Sequence, residues 1–430
     1  MIIENFNKTR KLNATHHSPC NLSNEIDLFA PIGNCLSYNE SSISENIIKS
    51  TNMEKKIVLD IEKLTVKVSS GITIYELINH LRNYGLFPYV VPGTSKITIG
   101  GAVSNNVHGK NQLEEGLFCN HVEEIEMIDS YGKVFFINKN NPLFQAVCGG
   151  IGTIGFIKSV TLKVRKIPSD FFIVKNNVSN NLEHTFKILN FYKNSVAWID
   201  MSAKKSKLGR GVVISASYSS DNKRSPIKNP PIKITNKMKI SIINPITSLI
   251  FCKVKYIKEK ISSFIFKRDK KQHFSKYLFP LDSIEGWNNL YGVHGFYQFQ
   301  ALIPNENSKD IIEKLILHFQ SHYLFSPLVV IKRMKKSDIG YLSFSGDGYS
   351  ICFDLPIFNP LSSKSTIEAI KDANELTLKS GGLIYLAKDE LMDRNTFLSM
   401  YKNSIRQKNA ISEFNHNKRI FTNQAKRYGL

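Results

Sequence analysis

Cysteine is scarce in this chain of 430 residues: Cys20, Cys35, Cys119, Cys148, Cys252 and Cys352 stand far apart, with no Cys-x-x-Cys pair. That spacing excludes a disulfide scaffold and a zinc ribbon, and it fits a reducing compartment. Long apolar runs are also missing, and none approaches the roughly 20 residues of a membrane-spanning helix. The first residues, MIIENFNKTRKLN, lack the apolar core of a secretory signal, so a cytoplasmic location is expected. Acid is short too: 36 Asp and Glu face 57 Lys and Arg, a net charge of +21. Such an excess fits nucleic acid, an anionic membrane surface or a phosphorylated substrate. No zinc module, RNA-recognition signature or basic zipper accompanies it, which argues against nucleic acid. What is plentiful is core material, 42% hydrophobic and 11% aromatic residues, so the chain folds.

Periodicity then marks the elements. Lys56–Asp60 and Leu64–Gly71 read as strands, the second alternating at period two before a glycine turn. Thr73 to Tyr84 places Ile74, Leu77, Ile78 and Leu81 at helical spacing, with Thr73 as N-cap and Gly85 as the stop. Val90 to Gly116 is rich in glycine and poor in strand signal. Val122 to Lys166 reads as strand, turn at Tyr131-Gly132, strand, short helix, glycine cluster and a strand from Gly155 to Val164. After Pro168 strand-like and helix-like runs alternate, followed by a basic, proline-punctuated stretch at 221–275. Strands at Phe296–Ile303, Leu328–Arg333 and Ser350–Leu355, a helix at Ser308–Gln320 and a strand at Leu383–Ala387 complete the pattern.

The segment Pro92-Gly93-Thr94-Ser95-Lys96-Ile97-Thr98-Ile99-Gly100-Gly101-Ala102-Val103-Ser104-Asn105-Asn106-Val107-His108-Gly109-Lys110-Asn111 carries the most chemistry. Glycines let backbone N–H groups approach a ligand, hydroxyls at Thr94, Ser95, Thr98 and Ser104 add donors, and His108 and Lys110 add cations. A tight structural loop is the bland alternative, and the density of hydroxyls beside His-Gly-Lys-Asn favours a ligand. A second cluster, Gly149 to Gly155, contains Gly150-x-Gly152-x-x-Gly155. In a dinucleotide fingerprint the glycines follow a strand and open a helix. Here they follow a helical segment and open a strand, so that site is excluded. Gln298 and Gln300 stand at period two, placing both amides on one strand face, either a solvent face or a pocket wall. Cys352, Cys119 and Cys148 read by default as small buried side chains.

Taken together, PGTSKITIGGAVSNNVHGKN, Gly116, Asn120-His121-Val122 and GGIGTIGFI resemble the FAD-binding domain of the vanillyl-alcohol-oxidase, or PCMH-type, flavoproteins. The branch resembled is the one that oxidises a lipid-linked sugar, of which the His-Gly-Lys-Asn run is a specific mark. The likeness is collinear over roughly residues 30–425. It implies an α+β fold: a two-part FAD-binding PCMH-type domain at 1–167, a second α+β substrate (cap) domain at 168–380 with a basic mobile segment at 221–275, and a C-terminal segment at 381–430. That last segment would complete the active site and return to the FAD domain.

The resemblance also implies roles. Gly33, Ser37, Tyr38, Pro92, Gly93, Thr94, Thr98, Gly100, Gly101, Ala102, Ser104 and Asn105 would wrap the FAD pyrophosphate and flank the isoalloxazine, with His108, Gly109 and Asn111 continuing that wall. Gly149, Gly150, Gly152, Gly155 and Ile157 would hold FAD further from the reaction. Lys110, Gln298, Gln300, Val330, Lys332, Cys352, Tyr385 and Lys388 would line the substrate face. Lys388 is the expected catalytic base or polarising group, with Lys332 and His108 as alternatives; no metal is expected. No histidine stands in the early loop where some relatives attach the flavin, so FAD is expected to be non-covalent. Two departures bear on this: Cys35 and Asn39 stand where the family has glycine, and a Cys tolerates a left-handed backbone poorly.

The activity implied is FAD-dependent oxidation of a secondary sugar hydroxyl, the 2′-hydroxyl of a polyprenyl-phosphate-linked pentose, as the first half of an epimerisation in cell-envelope polysaccharide synthesis. A separate short-chain dehydrogenase would reduce the keto product. An aldonolactone or alditol oxidase acting on a soluble polyol, and a flavin-less binding protein, are the alternatives. Pro231 to Lys271 holds eleven Lys and Arg against Glu259 and Asp269. Within it Leu249, Ile250, Phe251, Val254, Ile257, Ile261, Phe264 and Ile265 recur near helical spacing among lysines. That pattern fits an anionic membrane surface and equally an ordinary packed helix with a solvated lysine face. A protein peripheral to the inner face of the membrane would reconcile the charge with the lipid-linked sugar.

Overall fold

Thr73 caps the helix Ile74–Leu81 as its sequence predicts: its hydroxyl accepts from Glu76 N at 3.1 Å, and the Glu76 carboxylate accepts from Thr73 N at 2.8 Å. This reciprocal box satisfies two otherwise orphaned donors. Ile74, Leu77, Ile78 and Leu81 are fully buried on its inner face, and Gly85, at φ 68°, closes the 3-10 turn that follows. In the computed structural model, which describes every residue except 18–27, 226–231, 235–240, 266–268, 416 and 418, the helix shares a core with a six-stranded antiparallel sheet. Its order is Val134–Asn138, Val122–Ile128, Phe156–Lys166, Thr65–Ser69 and Ile57–Asp60, with Leu86–Pro88 pairing the end of Phe156–Lys166. A small parallel sheet of Thr15–His17, Asn46–Lys49 and Ala30–Ile32 accompanies it.

The stretch read as a glycine-rich loop contains a short helix, Ile99–Ser104, that periodicity did not reveal. Thr98 starts it, its hydroxyl accepting from Gly101 N at 3.2 Å. Adjacent glycines at 100 and 101 hide the helical pattern because they lack side chains to show a face.

A second, eight-stranded antiparallel sheet runs in the order Lys270–His273, Phe171–Ser179, Gly211–Tyr218, Ser195–Ile199, Val329–Met334, Gly348–Pro356, Phe296–Pro304 and Leu383–Ile384. Its strands alternate strictly. Phe299, Ala301, Ile303, Val329, Ile331, Ile351, Phe353 and Leu355 point to one face, in one core with residues of the helices Leu182–Phe191, Ser308–Ser321 and Pro360–Lys379. The intervening residues Gln298, Gln300, Val330, Lys332, Ser350 and Cys352 therefore occupy the opposite face, as period two dictates.

Leu383–Ile384 is shorter than the strand expected to reach Ala387. Lys388 N and Asp389 N both donate to Tyr385 O, at 2.9 and 3.0 Å, and this turn takes the chain out of the sheet. Beyond it the chain meets the N-terminal elements. Phe29 bridges Ile420 in parallel, Gln407 donates to Ala146 O at 3.0 Å, and Arg427 pairs with Asp389 at 2.7 Å and with Glu40. The helix Pro245–Ile265 packs on the second sheet through Ser248, Cys252 and Tyr256; parts of the basic stretch on either side lie outside the described residues. No described helix is long and apolar enough to cross a membrane. The described cysteines are all free thiols.

Candidate active site

The polar face of the second sheet and the glycine-rich elements enclose a cleft of about 390 Å³. One wall is made by Gly33, Ser37 and Tyr38, then Pro92, Gly93, Thr94, Thr98, Gly100, Gly101, Ser104, Asn105 and His108, with Gly152, Gly155 and Ile157 beyond. The facing wall presents Gln298, Gln300, Val330, Lys332, Cys352, Tyr385 and Lys388. Register explains that convergence: Lys332 pairs with Ser350, Val330 and Gln300 both flank Cys352, and Gln298 pairs with Asp354.

Six of the residues expected at the site do not line the cleft. Ala102 is buried in the core of the first sheet. At Gly109 a Cβ would stand 2.6 Å from Val91 O, and at Gly150 1.9 Å from Ala146 O, so these glycines permit close packing rather than ligand approach. Gly149 holds φ 76° and donates to Val103 O, and Asn111 donates to Tyr89 O at 2.8 Å. Lys110 donates to Tyr277 O with its ammonium 4.2 Å from that ring, and burial brings its pKa down to about 7.

The two departures in the early loop differ in backbone. Cys35 adopts φ 53°, whereas Asn39 is extended at φ −120°, its side chain accepting from Ser41 N and donating to Leu386 O. The left-handed position thus falls on the cysteine, not on the asparagine better suited to it. Gly33 is required for a different reason: a Cβ there would lie 2.2 Å from Thr98 Oγ1.

Charge at the facing wall is strongly perturbed. Lys388 sits 3.3 Å over the Tyr38 ring, and burial lowers its pKa to about 8 although Cys352 and Asp354 pull the other way. Burial also lowers Lys332 to about 7; Cys352 opposes this, while Lys388 and Lys110 add to it. His108 is buried against Tyr385, ring centroids 5.0 Å apart. Burial, then Lys332 and Lys388, hold its imidazole well below the ordinary value, so it is neutral. The Gln300 amide donates to Ser350 Oγ at 3.0 Å and to His108 Nε2 at 3.3 Å, which leaves the imidazole proton on Nδ1. Burial keeps the Cys352 thiol protonated, pushed up to about 12.

Sequence reasoning placed Ser350 near the sugar only through the resemblance, and it missed Asp282 and Trp287, which line the cleft, and Asp354, which stands behind Gln298. Asp354 is fully buried, accepts from Gln298 and from Tyr291 Oη at 3.2 Å, and is raised by burial to about 6. Period two from Cys352 marks Ser350 and Asp354 on one face, a signal that was available. Asp282 accepts from Thr94 Oγ1 at 2.6 Å and Ser95 Oγ at 2.8 Å, fastening the glycine-rich loop to the second sheet's side of the molecule. No local pattern reveals a contact across 188 positions of sequence. Outside the cleft, His318, His322 and Asp372 bring three ligand atoms within 4.8 Å, the one such group among the described residues.

Comparison with known proteins agrees with this geometry. Residues 24–138 match the FAD binding domain family. The chain is 29% identical over 353 residues to decaprenylphosphoryl-beta-D-ribose oxidase of Mycolicibacterium smegmatis, covering 78% of this chain and 74% of that protein. It is 31% identical to D-arabinono-1,4-lactone oxidase of Debaryomyces hansenii over 24% of this chain and 19% of the other. With L-gulonolactone oxidase of Mus musculus it shares 24% identity over 34% of each. FAD is the cofactor these matches indicate, and the residues present fit it. His108 Nδ1, Asn105 Oδ1 and Gln298 Oε1 are buried without a protein partner in residues that line the cleft. At Gly93 a Cβ would meet nothing within 4 Å, so the backbone there borders open cleft. The cleft also lies within the usual range of ligand sites, about 300–1,000 Å³.

Proposed function

We propose that this chain, an FAD-dependent oxidoreductase with a PCMH-type FAD-binding domain, oxidises the 2′-hydroxyl of a polyprenyl-phosphate-linked pentose. The observation that carries this reading is the set of three perturbed bases in one cleft: Lys332 on a strand and Lys388 on the turn after Tyr385 line the wall that faces neutral His108 on the glycine-rich side. When bound along Gly33–Tyr38 and Pro92–Asn105, FAD supplies the acceptor for the hydride of the carbinol carbon. Lys388, partly unprotonated near neutral pH, removes the hydroxyl proton as that carbon is oxidised. Its ammonium is then held over the Tyr38 ring and near the Asp354 carboxylate. Lys332 meets the substrate phosphate, whose charge favours the ammonium form. His108 Nδ1–H donates to the sugar and Gln298 Oε1 accepts from it, filling two vacant hydrogen-bonding positions. Cys352, undissociated, packs rather than reacts.

The keto sugar so formed is the substrate for reduction by a separate short-chain dehydrogenase, which completes an epimerisation used in cell-envelope polysaccharide synthesis. The relative named as a ribose oxidase matches over 78% of this chain, whereas the lactone oxidases match over 24% and 34%, which ranks a soluble aldonolactone or alditol second. Anaerobic mixing of the flavin-loaded protein with each substrate class tests the choice: polyprenyl-phospho-pentose is expected to bleach the flavin, and free polyols are not.

A further inference from the structure

We infer that the helix Pro245–Ile265 is a docking surface for an anionic lipid bilayer, set beside the cleft. Its purpose rests on the lipid-linked substrate proposed above; the surface itself rests on the exposure of its residues. The helix is anchored from beneath. Cys252 Sγ donates to Ser326 O at 3.5 Å, Tyr256 Oη to Ser179 O at 3.1 Å, and Asn176 Nδ2 to the Glu259 carboxylate at 3.0 Å, while the Lys255 ammonium lies 4.0 Å over the Trp198 ring.

The opposite face is apolar and uncovered. Ile246, Ile250, Val254, Ile257, Ile261 and Phe264 follow one another at steps of four, four, three, four and three, and they are 70%, 59%, 59%, 45%, 53% and 82% exposed. Such spacing keeps them on one stripe of the helix. At 100° per residue, Lys253 and Lys260 fall on one flank of that stripe and Lys258 on the other, all three exposed. Glu259, the one acid of the helix, is turned inward to Asn176. An apolar ridge between two cationic flanks is complementary to a bilayer of anionic lipids, which takes the ridge among its acyl chains and the ammonium groups among its headgroups. A second copy of the helix would bring lysine flanks against lysine flanks, and a nucleic acid has no use for the ridge.

Position supports the same occupant. Asn244 Oδ1 accepts from Ile246 N at 3.0 Å and starts the helix. One residue earlier, Ile243 packs against the cluster of Tyr38, Tyr291 and Phe296 with Trp287. Tyr38 and Trp287 line the cleft. The lipid surface would therefore lie next to the site that takes a lipid-linked sugar.

Co-sedimentation of the FAD-loaded full chain with vesicles tests this. Vesicles of phosphatidylglycerol with phosphatidylcholine are expected to carry it down, and phosphatidylcholine alone is not. The exposed triple variant Ile250→Gln, Ile257→Gln, Ile261→Gln should lose at least about tenfold in binding, and Lys253→Gln, Lys258→Gln, Lys260→Gln on the order of a hundredfold. Both should keep the wild-type circular dichroism and flavin content. Equal binding to both vesicle types, undiminished binding by the isoleucine variant, or a wild-type dimer that this variant makes monomeric without any vesicle binding would each overturn the inference. Vesicle binding without flavin reduction by any prenyl-linked sugar would uphold the surface while refuting the substrate. Reduction by a water-soluble short-chain analogue without vesicle binding would do the reverse.

Discussion

If Lys388 takes the hydroxyl proton, flavin reduction must follow its titration. Its pKa of about 8 leaves about one tenth in the base form at pH 7, half at pH 8 and nine tenths at pH 9. The rate constant for anaerobic flavin reduction at saturating substrate should therefore rise about fivefold from pH 7 to 8 and less than about twofold from pH 8 to 9. Asp354→Asn removes the carboxylate that raises this pKa, so the rising limb should move to lower pH, each whole unit corresponding to about 1.4 kcal/mol. Lys388→Met keeps the length of the side chain and removes the base; the reduction rate should fall about 10²–10⁴-fold with the limb gone. Stopped-flow absorbance of the flavin reads all three. A Lys388→Met enzyme that kept the limb, or an Asp354→Asn limb displaced to higher pH, would refute the reasoning.

Other outcomes follow from single contacts. Gly33→Ala places a Cβ where Thr98 Oγ1 now lies 2.2 Å away, so FAD affinity by fluorescence titration should fall at least tenfold, about 1.4 kcal/mol or more. Cys35→Gly relieves the left-handed φ of 53° and should stabilise the fold by about 1 kcal/mol in denaturant unfolding, with FAD still bound. Arg427→Ala leaves the buried carboxylates of Asp389 and Glu40 unpaired and should cost about 3–5 kcal/mol by the same measurement. With no histidine between Gly33 and Tyr38, acid precipitation should release the whole flavin content into the supernatant.

Much of this was legible because it is local or periodic. Thr73 with Ile74, Leu77, Ile78 and Leu81 announces its helix, and Gln298 with Gln300 announces a shared face. The two glycine clusters stand out as runs. Within them, the glycines at 109, 149 and 150 shape the chain rather than face the cleft. Composition cannot separate those duties, because a glycine that admits a ligand and one that admits a neighbouring carbonyl look the same. The turn at Tyr385–Asp389 escaped for a related reason: Leu383–Ala387 is apolar enough for a strand, and only the hydrogen bonds to Tyr385 O end it early. Contacts such as Asp282 to Thr94, or Arg427 to Asp389, belong to the fold and leave no mark on either segment alone. The helix Pro245–Ile265 shows the limit most clearly. Its sequence allowed equally a membrane-surface helix and a packed helix with a solvated lysine face; the side that packs is Ser248, Cys252 and Tyr256, and the exposed side is the apolar ridge flanked by lysines.

The central claim is that this flavin site oxidises a lipid-linked sugar. Anaerobic titration of the FAD-loaded enzyme with a polyprenyl-phospho-pentose tests it directly: stoichiometric bleaching of the flavin, with the 2′-keto sugar recovered, is the expected result. Bleaching by free polyols or aldonolactones with none by the lipid-linked pentose would contradict it.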